Sequence, residues 1–181
     1  MKRFFICYLF MMCVVNLNAQ HISFLGIQLG QSESNVDRLL RQKGFTLEKK
    51  VNGYFYARRY KGDFWKFEDV AVNTIVDNGL VTGISACPSP FKYNSISYYN
   101  DVVKNLDRKY GRHFPISSFF KYSEYADKKG YYWRVKGGYI VTDYVYSSDG
   151  EMVLIDIVYL DNTNRDIILE HGKKRRTDDD L

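Results

Sequence analysis

Cysteine, proline and histidine each occur only three times in 181 residues, and tryptophan twice. Each scarcity excludes something. Cys7 and Cys13 lie in the apolar N-terminal stretch, so a processed chain keeps Cys87 alone and cannot close an internal disulfide. Its stability has to come from a core. His21, His113 and His171 are far apart, and no His, Cys and carboxylate cluster has metal-ligand spacing. No H-E-x-x-H, G-x-S-x-G or G-x-x-x-x-G-K is present, which removes the zinc-protease helix, the nucleophile elbow and the phosphate loop. Beyond the N-terminal stretch, no apolar run reaches the roughly 18 residues of a spanning helix. Charge of one sign is also modest. The formal net charge of +5 falls further once Lys2 and Arg3 are removed, and so small an excess calls for neither nucleic acid nor a membrane surface.

The chain opens "MKRFFICYLFMMCVVNLNAQ". Lys2 and Arg3 form a basic start, Phe4 to Val15 an uncharged apolar core, and Ala19 a small residue at a cleavage point. This pattern predicts a secretory signal peptide over residues 1–19, cut after Ala19, and a periplasmic or secreted product with no integral membrane span after cleavage. Neither cysteine in it follows the small residues that lipid attachment requires.

What is plentiful is aromatic: 16 Tyr and 12 Phe, residues suited to half-buried sheet surfaces and to contact surfaces alike. Around them a pattern is stated twice. In "SESNVDRLLRQKGF", Ser32 caps a helix whose stripe is Val36, Leu39, Leu40 and the stem of Lys43. Gly44 stops it and Phe45 folds back on its last turn. In "SISYYNDVVKNLDRKYG", a helix from Ser95 or Ser97 carries Tyr99, Val102, Val103, Leu106 and Tyr110, and Gly111 stops it. Val36, Leu39, Arg41 and Gly44 match Val103, Leu106, Arg108 and Gly111. Downstream, "YARRYKGDF" matches "YYWRVKGGY", with Lys61-Gly62 and Lys136-Gly137 as tight turns. Asn78-Gly79 and Asp149-Gly150 are the dipeptides favoured in type I′ hairpin turns.

The expected fold class is therefore α+β: two tandem helix-plus-antiparallel-meander repeats forming one joined or paired sheet with helices on one face. Residues 20–87 are the first α-β-β-β repeat and 88–91 a linker marked by Pro88 and Pro90. Residues 92–172 are the second repeat with a short C-terminal helix, capped by Asn162 or Thr163 and ended by Gly172. Residues 173–181, "KKRRTDDDL", read as a disordered charged tail whose basic and acidic blocks cancel.

Helix-first repeats entered through "GIQLGQSESNVDRLL", with Gly30, Ser32, Val36 and Leu39-Leu40 in register, resemble the small outer-membrane assembly lipoproteins of the SmpA/OmlA type. Two copies in tandem are similar to the secreted β-lactamase inhibitor protein. The resemblance covers most of residues 24–160, in architecture, and implies a binding protein of the bacterial envelope. This chain lacks the lipobox cysteine of the first group and the paired cysteines of the second.

By alternation, Tyr54, Tyr56, Arg58 and Tyr60 share one strand face. Tyr132 and Arg134 share another, opposite Tyr131 and Trp133. Tyr, Trp and Arg are the residue types of interface hot spots. The expectation is an exported, non-catalytic binding module, with no cofactor and no metal. It would use Tyr54, Tyr56, Arg58, Tyr60, Tyr132, Trp133 and Arg134 to contact a protein or cell-envelope component. Two alternatives stay open: a secreted hydrolase using Cys87, with His113 as a base, and a structural or chaperone-like envelope protein without a discrete site.

Overall fold

A computed structural model describes residues 22–50, 56–89, 92–93, 95–118, 129–146 and 153–162, with Tyr56, Ser118, Val145, Val153 and Leu154 described by their backbone alone. The signal-peptide residues, Tyr54, the Asp149-Gly150 turn, the C-terminal helix and the charged tail lie outside the described residues.

The first helix, α1 (Glu33–Gln42), follows three two-residue strands, β1 (Ser23–Phe24), β2 (Ile27–Gln28) and β3 (Gln31–Ser32). Its end is built as its sequence dictates. Gly44 has φ +89°, the Gly44 amide donates to the Arg41 carbonyl at 3.0 Å, and the Phe45 amide donates to Leu40 at 3.1 Å. This closes a Schellman turn and drives Phe45 into the core. The second helix, α2 (Ile96–Tyr110), buries Tyr99, Val102, Val103 and Leu106 and ends at Gly111, φ +84°.

β1 and β2 pair with each other, and the other nine described strands form one large antiparallel sheet. After α1 come β4 (Thr46–Lys50), β5 (Tyr56–Phe64), β6 (Phe67–Asp77) and β7 (Leu80–Cys87). After α2 come β8 (Phe114–Pro115), a single 3-10 turn at Ile116–Ser118, β9 (Lys129–Val135), β10 (Gly138–Tyr146) and β11 (Val153–Asp161). Their spatial order is β4-β5-β6-β7-β11-β10-β9-β8, with β3 also pairing β7. Read outward from the β7–β11 pair, the order is the same in both directions, and each half is led by one helix. The seam aligns Gly83 to Leu160, Ile84 to Tyr159, Ser85 to Val158 and Ala86 to Ile157.

Alternation then sorts the side chains. Val70, Val72, Ile84, Ala86, Trp133, Ile140, Ile155, Ile157 and Tyr159 join Val36, Leu40, Tyr99, Val102 and Leu106 of the helices in one continuous core. On the opposite face, Ile75, Ile116, Tyr132, Val141 and Leu160 form a second, smaller apolar cluster.

Two hairpin dipeptides fall where expected. Asn78 and Gly79 have φ +49° and +78°, and Lys136-Gly137 is a turn with Gly137 at φ +87°. Lys61-Gly62 is not a turn. β5 runs through it to Phe64, Gly62 pairs with Val70, and the chain reverses at Trp65-Lys66. The glycine serves packing instead, since a Cβ there would collide with the Phe45 ring.

Candidate ligand cleft at the β8–β9 edge

The aromatic and arginine row expected to form an open face is largely covered. Tyr60 is fully buried, and its hydroxyl donates to Asp37 of α1 at 2.8 Å. Arg58 is four-fifths covered, with Nε 2.5 Å from Glu33 Oε1 and a terminal nitrogen 3.3 Å from Asp37 Oδ1. Arg41 adds a third contact to Asp37 at 3.1 Å. Burial works to raise the Asp37 carboxyl, but the Tyr60 and Arg41 hydrogen bonds and the charges of Arg41 and Arg58 outweigh it and hold it below its ordinary value. Burial, reinforced by the bond to Asp37, pushes the Tyr60 phenol up. These residues bind α1 to β5, so the face bearing Arg58 and Tyr60 is the helix-covered one.

In the second half, Tyr132 and Trp133 do point to opposite sides of β9, yet both are buried. Tyr132 stacks on Phe114 with centroids 5.4 Å apart, in the smaller cluster. Trp133 is fully enclosed, and its Nε1 donates to Asp107 Oδ1 at 3.1 Å and to the Gly111 carbonyl at 3.0 Å. Arg134 is exposed, its guanidinium carbon 5.9 Å from the Phe114 ring centre. Among the expected contact residues whose side chains are described, Arg134 alone lies in the open.

Cys87 and His113 do not meet. Cys87 sits with Ser85 and Asp156, its Sγ 3.1 Å from Asp156 Oδ1, on the sheet face away from the helices. Burial first, and then the Asp156 charge, push its thiol well up. His113 lies on the helix side, its Nδ1 2.9 Å from Asp107 Oδ1. A carboxylate only accepts, so Nδ1 carries the proton in this contact. Asp107 stands in the last turn of α2, where the helix dipole disfavours an acid, and the two donors offset that cost. Among the described residues no group of three or more His, Cys, Asp or Glu is placed to hold a metal.

Among the described residues, a concavity lies where β8 leaves β9. It has a volume of about 310 Å3 and is lined by Pro115, Ile116, Ser117, Lys129, Gly130, Tyr131 and Tyr144. Strand pairing assembles it: Pro115 lies opposite Tyr131, and Tyr144 opposite Lys129. Tyr99 of α2 steadies both tyrosines, with its ring centre 6.4 Å from Tyr131 and 4.7 Å from Tyr144. His113 packs on Tyr131 at 4.1 Å, and Tyr146, half exposed, meets Tyr144 at 5.8 Å. A Cβ at Gly130 would strike the Thr142 carbonyl, so the position requires glycine. Among the described residues, Ser117, Lys129 and the hydroxyls of Tyr131 and Tyr144 have no hydrogen-bond or ion-pair partner. Alternation sets Tyr131 on the face opposite Tyr132, but the lining residues are scattered from 115 to 144 and no local pattern links them. Only the β8–β9–β10 register brings them together.

Comparison with known proteins gave no match: no family model, no curated protein and no solved structure corresponds to this chain. The fold and this cleft therefore define the class on their own: an α+β protein with, among the described residues, one large antiparallel sheet, two α-helices and a small aromatic cleft at one edge.

Proposed function

We propose that the chain is an exported, non-catalytic binding module of the cell envelope, built from two tandem helix-plus-meander units in the manner of the SmpA/OmlA-type proteins. The mirror order of the strands about the β7–β11 pair supports the duplication. It takes its ligand or partner at the β8–β9 cleft and not on a broad Tyr/Arg sheet face. The observation that carries this is the set of unengaged polar groups (Ser117, Lys129, Tyr131, Tyr144) around a concavity whose rings are already held by Tyr99. With the two rings held in place before binding, their ordering costs little when a ligand arrives. The module needs nothing from Cys87, whose thiol burial holds in the neutral form.

The test is capture from envelope extracts on the immobilised protein. Lys129→Glu and Tyr144→Ala should release what the wild type retains, with unchanged melting for Lys129→Glu. Arg134→Ala should retain it. Retention by both cleft variants would sink the reading.

A further inference from the structure

We infer that the β8–β9 cleft binds an acidic saccharide: one pyranose ring against Tyr131 and Tyr144, with its carboxylate on the Lys129 ammonium. The inference rests on the binding-module reading and names the ligand class for its site.

Size is the first argument. About 310 Å3 lies at the lower end of the roughly 300–1,000 Å3 usual for small-molecule sites, room for a single ring and its substituents. Lining chemistry is the second. Tyrosine supplies an apolar ring and a hydroxyl in one rigid side chain, which suits a sugar's alternation of C–H faces and hydroxyl edges. Pro115 and Ile116 add apolar wall, and Ser117 adds a further donor and acceptor. Charge is the third. Lys129 is the one ionic side chain among the lining residues, and no described carboxylate pairs with it. Asp143, across from Gly130, lies on the other side of β10 from Tyr144 by strand alternation. Among the described residues a ligand carboxylate would therefore meet a cation with no ion-pair partner, the Asp143 charge acting on neighbouring Tyr99.

An extended peptide is disfavoured by the backbone. Adding a strand requires an open sheet edge, and at Tyr131 and Tyr132 that edge of β9 is occupied by Pro115 and Phe114.

The experiment is calorimetric titration of the full chain with three probes: a galacturonate tetrasaccharide, its methyl ester, and tetraglutamate. The acidic sugar should bind saturably. Methyl esterification should weaken it about fivefold, the order of one partly exposed ion pair. Lys129→Ala should weaken the acid by the same factor and leave the ester unchanged, with the melting curve preserved. Ser117→Ala, at an exposed position, should weaken both sugars alike. Equal binding of acid and ester, or no effect of Lys129→Ala, overturns the charge assignment. Tetraglutamate binding as tightly as the sugar overturns the saccharide assignment. If no sugar binds but partner capture still depends on Lys129 and Tyr144, this inference fails and the binding module stands. If capture is also independent of both residues, the two fail together.

Discussion

Asp37 shows how one carboxylate is used structurally. It accepts from Tyr60 and faces Arg41 and Arg58, so α1 and β5 meet through charge as well as through apolar packing. Tyr60→Phe removes one buried hydrogen bond and should cost about 1 kcal/mol, read as a lower urea midpoint at unchanged slope. The pH dependence follows in sign. The folded Asp37 carboxyl is lowered, so the unfolded chain takes up its proton first as pH falls. The stabilisation is complete above the ordinary carboxyl value of about 3.9 and is lost as pH drops through the lowered folded value. Wild type should lose more stability on acidification than Asp37→Asn, and parallel curves would refute this. Cys87 is the other diagnostic residue. With its thiol pushed up by burial and by Asp156, iodoacetamide at neutral pH should label it only after urea unfolding.

Two glycines separate backbone reasons from packing reasons at the level of elements. Gly44 ends α1 at φ +89°, and a Cβ there would meet nothing within 4 Å. Gly44→Ala should cost about 1–2 kcal/mol for the left-handed backbone alone. Gly62 lies inside β5 beneath the Phe45 ring. Gly62→Ala should cost about 1–3 kcal/mol by overpacking, and Phe45→Leu should relieve it in the double variant, as a double-mutant cycle would show. This is also why Lys61-Gly62 lies within a strand although its dipeptide favours a turn. The dipeptide signal is real, but β5 continues because the cap that Gly44 builds delivers Phe45 onto that spot. The chain turns instead at Trp65, a residue at φ +56° where glycine would be expected, with its ring stacked on Phe64 at 4.7 Å.

Across the whole molecule, the seam between β7 and β11 decides cooperativity. The core runs without a break from Val36 and Leu40 beneath α1 to Tyr99 and Leu106 beneath α2. The start of α2 is also tied to the β5–β6 turn: Lys66 pairs with Asp101, and Tyr93 Oη accepts from the Glu68 amide at 3.0 Å. One sheet with one shared core should unfold as one unit. Far-UV dichroism, which sees both halves, and the tryptophan fluorescence of a Trp65→Phe variant, which leaves buried Trp133 as the reporter of the second, should give coincident urea curves. A separation of the midpoints would mean that the halves fold independently.

Local elements are legible in the residues alone: both helices with their glycine stops and their apolar stripes (Lys43, counted in the first, is exposed past the helix end), the Asn78-Gly79 and Lys136-Gly137 turns, the alternation that sets Tyr132 against Trp133, and the α+β class. These depend on contacts a few residues long, so the code for them is local. Tertiary structure decided what each face meets. Alternation names the residues that share a side of a strand, but not whether a helix lies over that side, and so Tyr60 and Trp133 proved to be core. The cleft was equally out of reach, because Pro115, Lys129 and Tyr144 become neighbours only when β8, β9 and β10 pair in one register.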